Sequence, residues 1–222
     1  MNFELFALPA VALVTVTALV LLLSPDWRWS IAALGVQYAG EFVLVALSWP
    51  LAMAGTKLVA GWMAGAILGM AVLSLPSTRT PVDPLQDIPD LLPLLRDSRH
   101  GRVRGFPNPQ TTASRPFRLL TAILAGLTVF SVVPIFVERM PGIYLEQAWG
   151  GLILISTALL QLGFTSKPLR TTLSLLTLLA GFEIIYSGVE SSALVAGLLA
   201  GVNLILALAG AYLLMAPQME AE

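Results

Sequence analysis

The chain has 222 residues, of which 57% are hydrophobic and 11% charged, with a mean hydropathy of +0.84 and a formal net charge of -1. That balance excludes an ordinary soluble domain. With no cysteine and one histidine, His100, it also excludes thiolate-bound metal, iron–sulfur clusters, disulfides and cysteine nucleophiles, and leaves no cluster able to hold haem or zinc.

About 20 mostly apolar residues cross a bilayer, and seven stretches qualify: roughly 5–23, 30–50, 55–75, 117–137, 147–165, 169–189 and 192–215. The first run, Phe6 to Leu23, has Glu4 where a signal peptide carries Lys or Arg. It lacks a small-residue cleavage pattern before "SPDWRW" and reads as the first helix. Stop and turn residues separate the spans: "SPDW" after the first, "SWP" and "AGT" between the second and third, "ERMPG" after the fourth and "TSKP" before the sixth. Between the third and fourth lies the long polar segment Ser77 to Pro116, with seven prolines and the run "RDSRHGRVRG", expected as an irregular loop. Trp27, Trp29, Trp49 and Trp149 stand at predicted span ends, as an interfacial belt would.

Seven spans set ten basic residues on one side: Arg28, Arg79, Arg96, Arg99, Arg102, Arg104, Arg115, Arg118, Lys167 and Arg170. The other side has two, Lys57 and Arg139. The excess predicts a cytoplasmic C-terminus and an external N-terminus. Arg96, Arg99, Arg102 and Arg104 set topology in this reading and are candidates for contact with anionic lipid or a cytoplasmic partner.

The chain also repeats itself. "RWSIAALGVQYAGEFVL" places Glu41 thirteen residues after Arg28, and "RTTLSLLTLLAGFEII" places Glu183 thirteen residues after Arg170. Downstream, "LVAGWMAG" (58–65) and "LVAGLLAG" (194–201) agree at six of eight positions. Spans one to three and five to seven are thus expected as two copies of a three-helix unit joined by span four, in the same orientation because four spans separate equivalents. The expected organisation is 1–76, first repeat; 77–116, cytoplasmic loop; 117–138, connecting helix; 139–222, second repeat. The expected fold is an all-α integral membrane protein.

At ~1.5 Å per residue, thirteen residues lift each glutamate roughly 20 Å from its arginine, near mid-membrane. A charge there costs at least ~2.5–3.5 kcal/mol and is expected to face a bundle interior or wet cavity. Low-dielectric surroundings disfavour the charged form, so Glu41 and Glu183 read as neutral or proton-exchanging unless a cation holds them ionised. The competing role is a protonated acid that bonds a neighbouring helix. Lys57 reads as a snorkelling interfacial lysine, with a second role as charge partner of Glu41. Asn203 reads as packing glue or a relay member, Glu190 as a residue of the outer mouth, on the face of Glu183, or a member of the same path, and Arg28 and Arg170 as candidate charge partners. Gly61, Gly65, Gly69, Gly197 and Gly201 are expected to let helices approach closely. No Walker loop, Rossmann glycines or nucleophile elbow is present.

The seven spans, the break after the third and the block "SKPLRTTLSLLTLLAGFEIIYSGV" resemble the E-type membrane subunit of hydrogenase-4 and formate hydrogenlyase complexes. That family is similar to the K subunit of respiratory complex I and the C subunit of Mrp antiporters. The resemblance implies a non-redox subunit without cofactors in a bacterial or archaeal plasma membrane. Its implied partners are antiporter-like membrane subunits and a cytoplasmic electron-transfer arm, with no nucleic acid. It also implies a basic residue opening the middle helix of each unit and a glutamate inside it, as Arg170 and Glu183 stand here, with Glu183 the more sensitive position. In that family the glutamate is commonly followed by Asn, where this chain has Ile184. The last helix often carries an acid, where this chain has Asn203. Two other functions fit the composition, a self-standing small ion or solute transporter and a structural subunit of another membrane complex.

Overall fold

A computed structural model describes residues 4–75 and 115–219. These residues form seven helices: α1 Glu4–Leu23, α2 Trp27–Val45, α3 Leu51–Ser74, α4 Arg115–Arg139, α5 Leu145–Phe164, α6 Pro168–Val189 and α7 Ala193–Met219. Six are long and apolar enough to cross a membrane, and the protein is an all-α membrane protein. The exception is α2, whose 19 residues reach about 28 Å but include Arg28, Gln37, Tyr38 and Glu41, which lower its hydropathy. The expected 77–116 loop lies outside the described residues, apart from Arg115 and Pro116, which open α4.

The boundary between the second and third spans differs from the expected one. Helix α2 ends at Val45 rather than near 50, and α3 starts at Leu51 rather than near 55. Pro50 causes both shifts: a proline drives the residue before it out of the helical region, and its own fixed φ suits a helix start. The chain turns through residues 46–49, Trp49 donating its N–H to the Val45 carbonyl, and Pro50 then caps α3 with its carbonyl taking the Ala54 N–H.

Helices α2 and α6 occupy the middle. α1 packs on α2 and α5, α3 on α2 and α7, and α7 also on α6. Three contacts link like-placed helices of the two triples: α1 with α5, α2 with α6, and α3 with α7. α4 rests on α5, touches α1 lightly, and is the least buried of the six apolar helices, whereas α6 is the most buried. The surface carries large apolar side chains such as Leu8, Phe130, Leu194 and Ile205, while Gln37, Glu41, Lys57, Ser174, Glu183 and Asn203 are buried. That inside-out distribution suits a lipid solvent.

Close helix contacts are not where the sequence places them. A Cβ at Gly65, Gly197 or Gly201 would meet nothing within 4 Å, and one at Gly69 would only graze Ile31 at 3.9 Å. The tight glycines are others. A Cβ at Gly151 would lie 2.9 Å from the Gly181 carbonyl oxygen, and one at Gly181 2.8 Å from that of Gly151, so the backbones of α5 and α6 touch. Gly40 receives Val14 of α1, and Gly61 alone of the expected set is tight, lying against the Tyr38 ring.

The C-terminal end of α1 is closed by other helices. The last turn of a helix leaves carbonyls without intrahelical donors. Here Gln161 Nε2 donates to the Leu21 carbonyl at 2.7 Å, Arg118 Nη1 to that of Leu22 at 3.1 Å, and Arg170 Nη2 to that of Ser24. Two guanidinium groups at this end also oppose the negative pole of the helix dipole.

Candidate functional site

Four helices deliver charged or polar side chains to one place. From α2 come Gln37, Tyr38 and Glu41, from α3 Lys57, from α6 Glu183 and from α7 Asn203; all six are 0% exposed. Lys57 Nζ lies 2.6 Å from Glu183 Oε1. Asn203 Nδ2 donates to the same oxygen at 3.2 Å, and Tyr38 OH donates to Asn203 Oδ1 at 3.0 Å. Tyr38 reaches Asn203 because Gly61 offers its ring a surface without a side chain.

Lys57 is therefore not a snorkelling interfacial lysine. Its side chain is enclosed, and its direct partner is Glu183 rather than Glu41. The physical reason is the earlier start of α3. With Leu51 opening the helix, Lys57 lies six residues, about 9 Å, inside it, too deep for its ammonium to return to the surface while a carboxylate is at hand. A buried lysine without a counter-charge is expensive, and removing one partner of such a pair costs ~3–5 kcal/mol.

Glu41 completes the cluster. Its carboxyl is fully enclosed beside Glu183 and Lys57. Neither Glu41 oxygen, nor Glu183 Oε2, has a protein donor. Two carboxyl groups and one ammonium are thus brought together in the protein interior.

Measured from the helix ends, the cluster is not at mid-helix. Glu41 stands four residues before the end of α2 and Glu183 six before the end of α6, about 6 and 9 Å. Beyond it, a second polar group closes this end of the bundle. Gln147 Nε2 donates to the Leu44 carbonyl at 2.9 Å and to Ser48 Oγ at 2.8 Å, with Ser187 Oγ at 3.2 Å, while Gln147 Oε1 accepts the Tyr144 N–H at 3.1 Å. Gly142, with φ +109°, makes the turn into this region, and a Cβ there would lie 2.9 Å from the Gly188 carbonyl oxygen.

The remaining sequence candidates lie elsewhere. Arg28 is exposed, with its guanidinium 5.4 Å from the Trp27 ring centroid. Arg170 caps α1. Glu190 is exposed just past α6 and takes part through its backbone, its carbonyl accepting Trp49 Nε1 at 2.7 Å. Trp49, at 3% exposure, is thus an interior anchor and not part of an interfacial belt. Arg96, Arg99, Arg102 and Arg104 lie outside the described residues.

The sequence reading missed Gln37, Tyr38 and Gln147. Gln37 stands one helical turn from Glu41, a spacing that puts both on one face, and that was the available signal. Tyr38 and Gln147 owe their roles to contacts between distant segments, which no local pattern encodes. Comparison with protein-family models, curated proteins and solved structures returned no match for this chain.

Proposed function

We propose that the chain is a non-redox membrane subunit of a complex-I-like or group 4 hydrogenase-like complex, in which the Glu41–Glu183 pair passes protons under the control of Lys57. One observation carries this reading: two enclosed carboxyl groups from different helices share a site with one ammonium. Intramembrane ionisable groups are costly, and their common uses are ion paths and proton relays. The roles divide by surroundings. Glu183, bonded to Lys57 and Asn203, is the fixed anion. Glu41, without a fixed donor, is the group that takes up and releases the proton.

In this reading α2 crosses the membrane as well, which its length and its place among the spanning helices support. The two triples are parallel repeats, and the contacts α1–α5, α2–α6 and α3–α7 favour that arrangement. The copies have diverged at the site: in the pairing of 58–65 with 194–201, Lys57 corresponds to Ala193 and Asn203 to Ile67. The C-terminus is cytoplasmic. Enclosing Lys57 and Arg118 turns the ten-to-two count of basic residues into nine to one, with Arg139 alone on the outer side.

The test is proton transport by the assembled complex in sealed vesicles. Glu41→Gln keeps the shape of a protonated acid but cannot release a proton, so the subunit assembles and transport falls by about a hundredfold or more. Normal coupled transport in Glu41→Gln/Glu183→Gln, with the subunit fully incorporated, would falsify the relay and leave a scaffold. Replacing the proton gradient by a sodium gradient identifies the coupled ion.

A further inference from the structure

We infer that Gln37 holds the water through which Glu41 exchanges its proton, so that the carboxyl pair is reached along the Gln37 side of α2. The inference rests on the relay reading above and adds the route to it. Gln37 is 0% exposed, and neither its amide nitrogen nor its amide oxygen has a protein partner. Among the described residues it is the one buried amide left in that state. A primary amide offers two donors and an acceptor with two lone pairs, and leaving all of them unmet in a packed interior is unfavourable. Water is the ligand that satisfies both ends of such a group, and buried water sits where otherwise unmet polar atoms gather.

Three further unmet atoms belong to the carboxyl pair: both oxygens of Glu41, one turn along the same face of α2, and Oε2 of Glu183 on α6. Water on Gln37 thus adjoins the one group of the cluster that lacks a fixed donor. The opposite side offers no equivalent. Gln147 is bonded to Ser48, Ser187, the Leu44 carbonyl and the Tyr144 N–H, and Ser187 to the Ile184 carbonyl, so the polar atoms on that side are met. In the transfer, the Glu41 O–H bond breaks as a new O–H bond forms on the water, which passes a proton onward. The amide of Gln37 orients that water and does not itself change protonation, so Gln37 is a positioning residue.

The sign of the stability effect separates this role from a structural one. Gln37→Leu removes an amide that no protein group satisfies, and fills much the same space. In the full complex we expect its thermal midpoint to be unchanged or higher, while proton transport falls about tenfold or more and modification of Glu41 by dicyclohexylcarbodiimide slows in parallel. Gln37→Asn keeps the amide and leaves room for water, and is expected to restore both transport and labelling. The inference is overturned if Gln37→Leu transports normally, if it loses stability together with transport, or if Gln37→Asn fails as leucine does. Glu41→Gln measured alongside keeps the two readings apart. Loss of transport there with normal transport in Gln37→Leu removes the route and leaves the relay; normal transport in both removes the relay itself.

Discussion

Lys57 and Glu183 sit 2.6 Å apart with no exposed surface, and the stability of that pair depends on keeping both members. Lys57→Met leaves the Glu183 carboxyl facing an apolar side chain and is expected to lower unfolding free energy by ~3–5 kcal/mol. Adding Glu183→Gln to Lys57→Met removes the orphaned charge and is expected to recover most of the loss. A double-mutant cycle on thermal unfolding in mild detergent measures the coupling, and additive effects would show that the two side chains do not interact. In the proposed relay the expected ranking of the acids is reversed. Glu183→Gln disturbs the partner of Lys57 and is read first as lost stability, whereas Glu41→Gln is read as lost transport. Both glutamates were legible as isolated acids in apolar runs at matched spacing, and both are enclosed. Lys57 was misread because four residues of error in the start of α3 moved it, on paper, from the interior to the interface.

At the scale of the helix, the end of α1 is a composite of α1, α4, α5 and α6. Gln161→Leu strands the Leu21 carbonyl and is expected to cost about 1 kcal/mol, and Arg118→Ala, which removes a charged donor from the Leu22 carbonyl, about 1.5–3 kcal/mol. Both follow from thermal unfolding of the purified protein. If neither variant moves the midpoint, these bonds do not hold the helix end. Seven helical segments were readable because length and hydropathy decide them, although α2 is less apolar than the other six and its break from α3 lies earlier than expected. The contacts were not. The glycine run at 61, 65 and 69 has the right spacing for a packing stripe, yet only Gly61 is tight; which face of a helix meets a neighbour depends on side chains supplied from elsewhere in the chain.

For the whole molecule, the placement of basic residues makes a direct claim. A reporter fused after Glu222, or placed near His100, is expected to behave as cytoplasmic in intact cells, and one at the N-terminus as external. Access to His100 from outside would reverse the topology. The outer position of α4, loosely held on α5, leaves six helices as the compact body. Within that body the glycine contacts define two stiff leaves. Gly40 against Val14 locks α1 to α2, and Gly151 against Gly181 locks α5 to α6, with no side chain between the latter backbones to yield. One carboxyl rides on each leaf, Glu41 on the first and Glu183 on the second. Packed interiors shift between discrete arrangements rather than bending smoothly, so a force that parts the leaves is felt first as separation of the two acids. In the proposed relay the proton on Glu41 is in that sense a gauge of the seam: closed, the leaves let the two acids share it; parted, each acid must find its own.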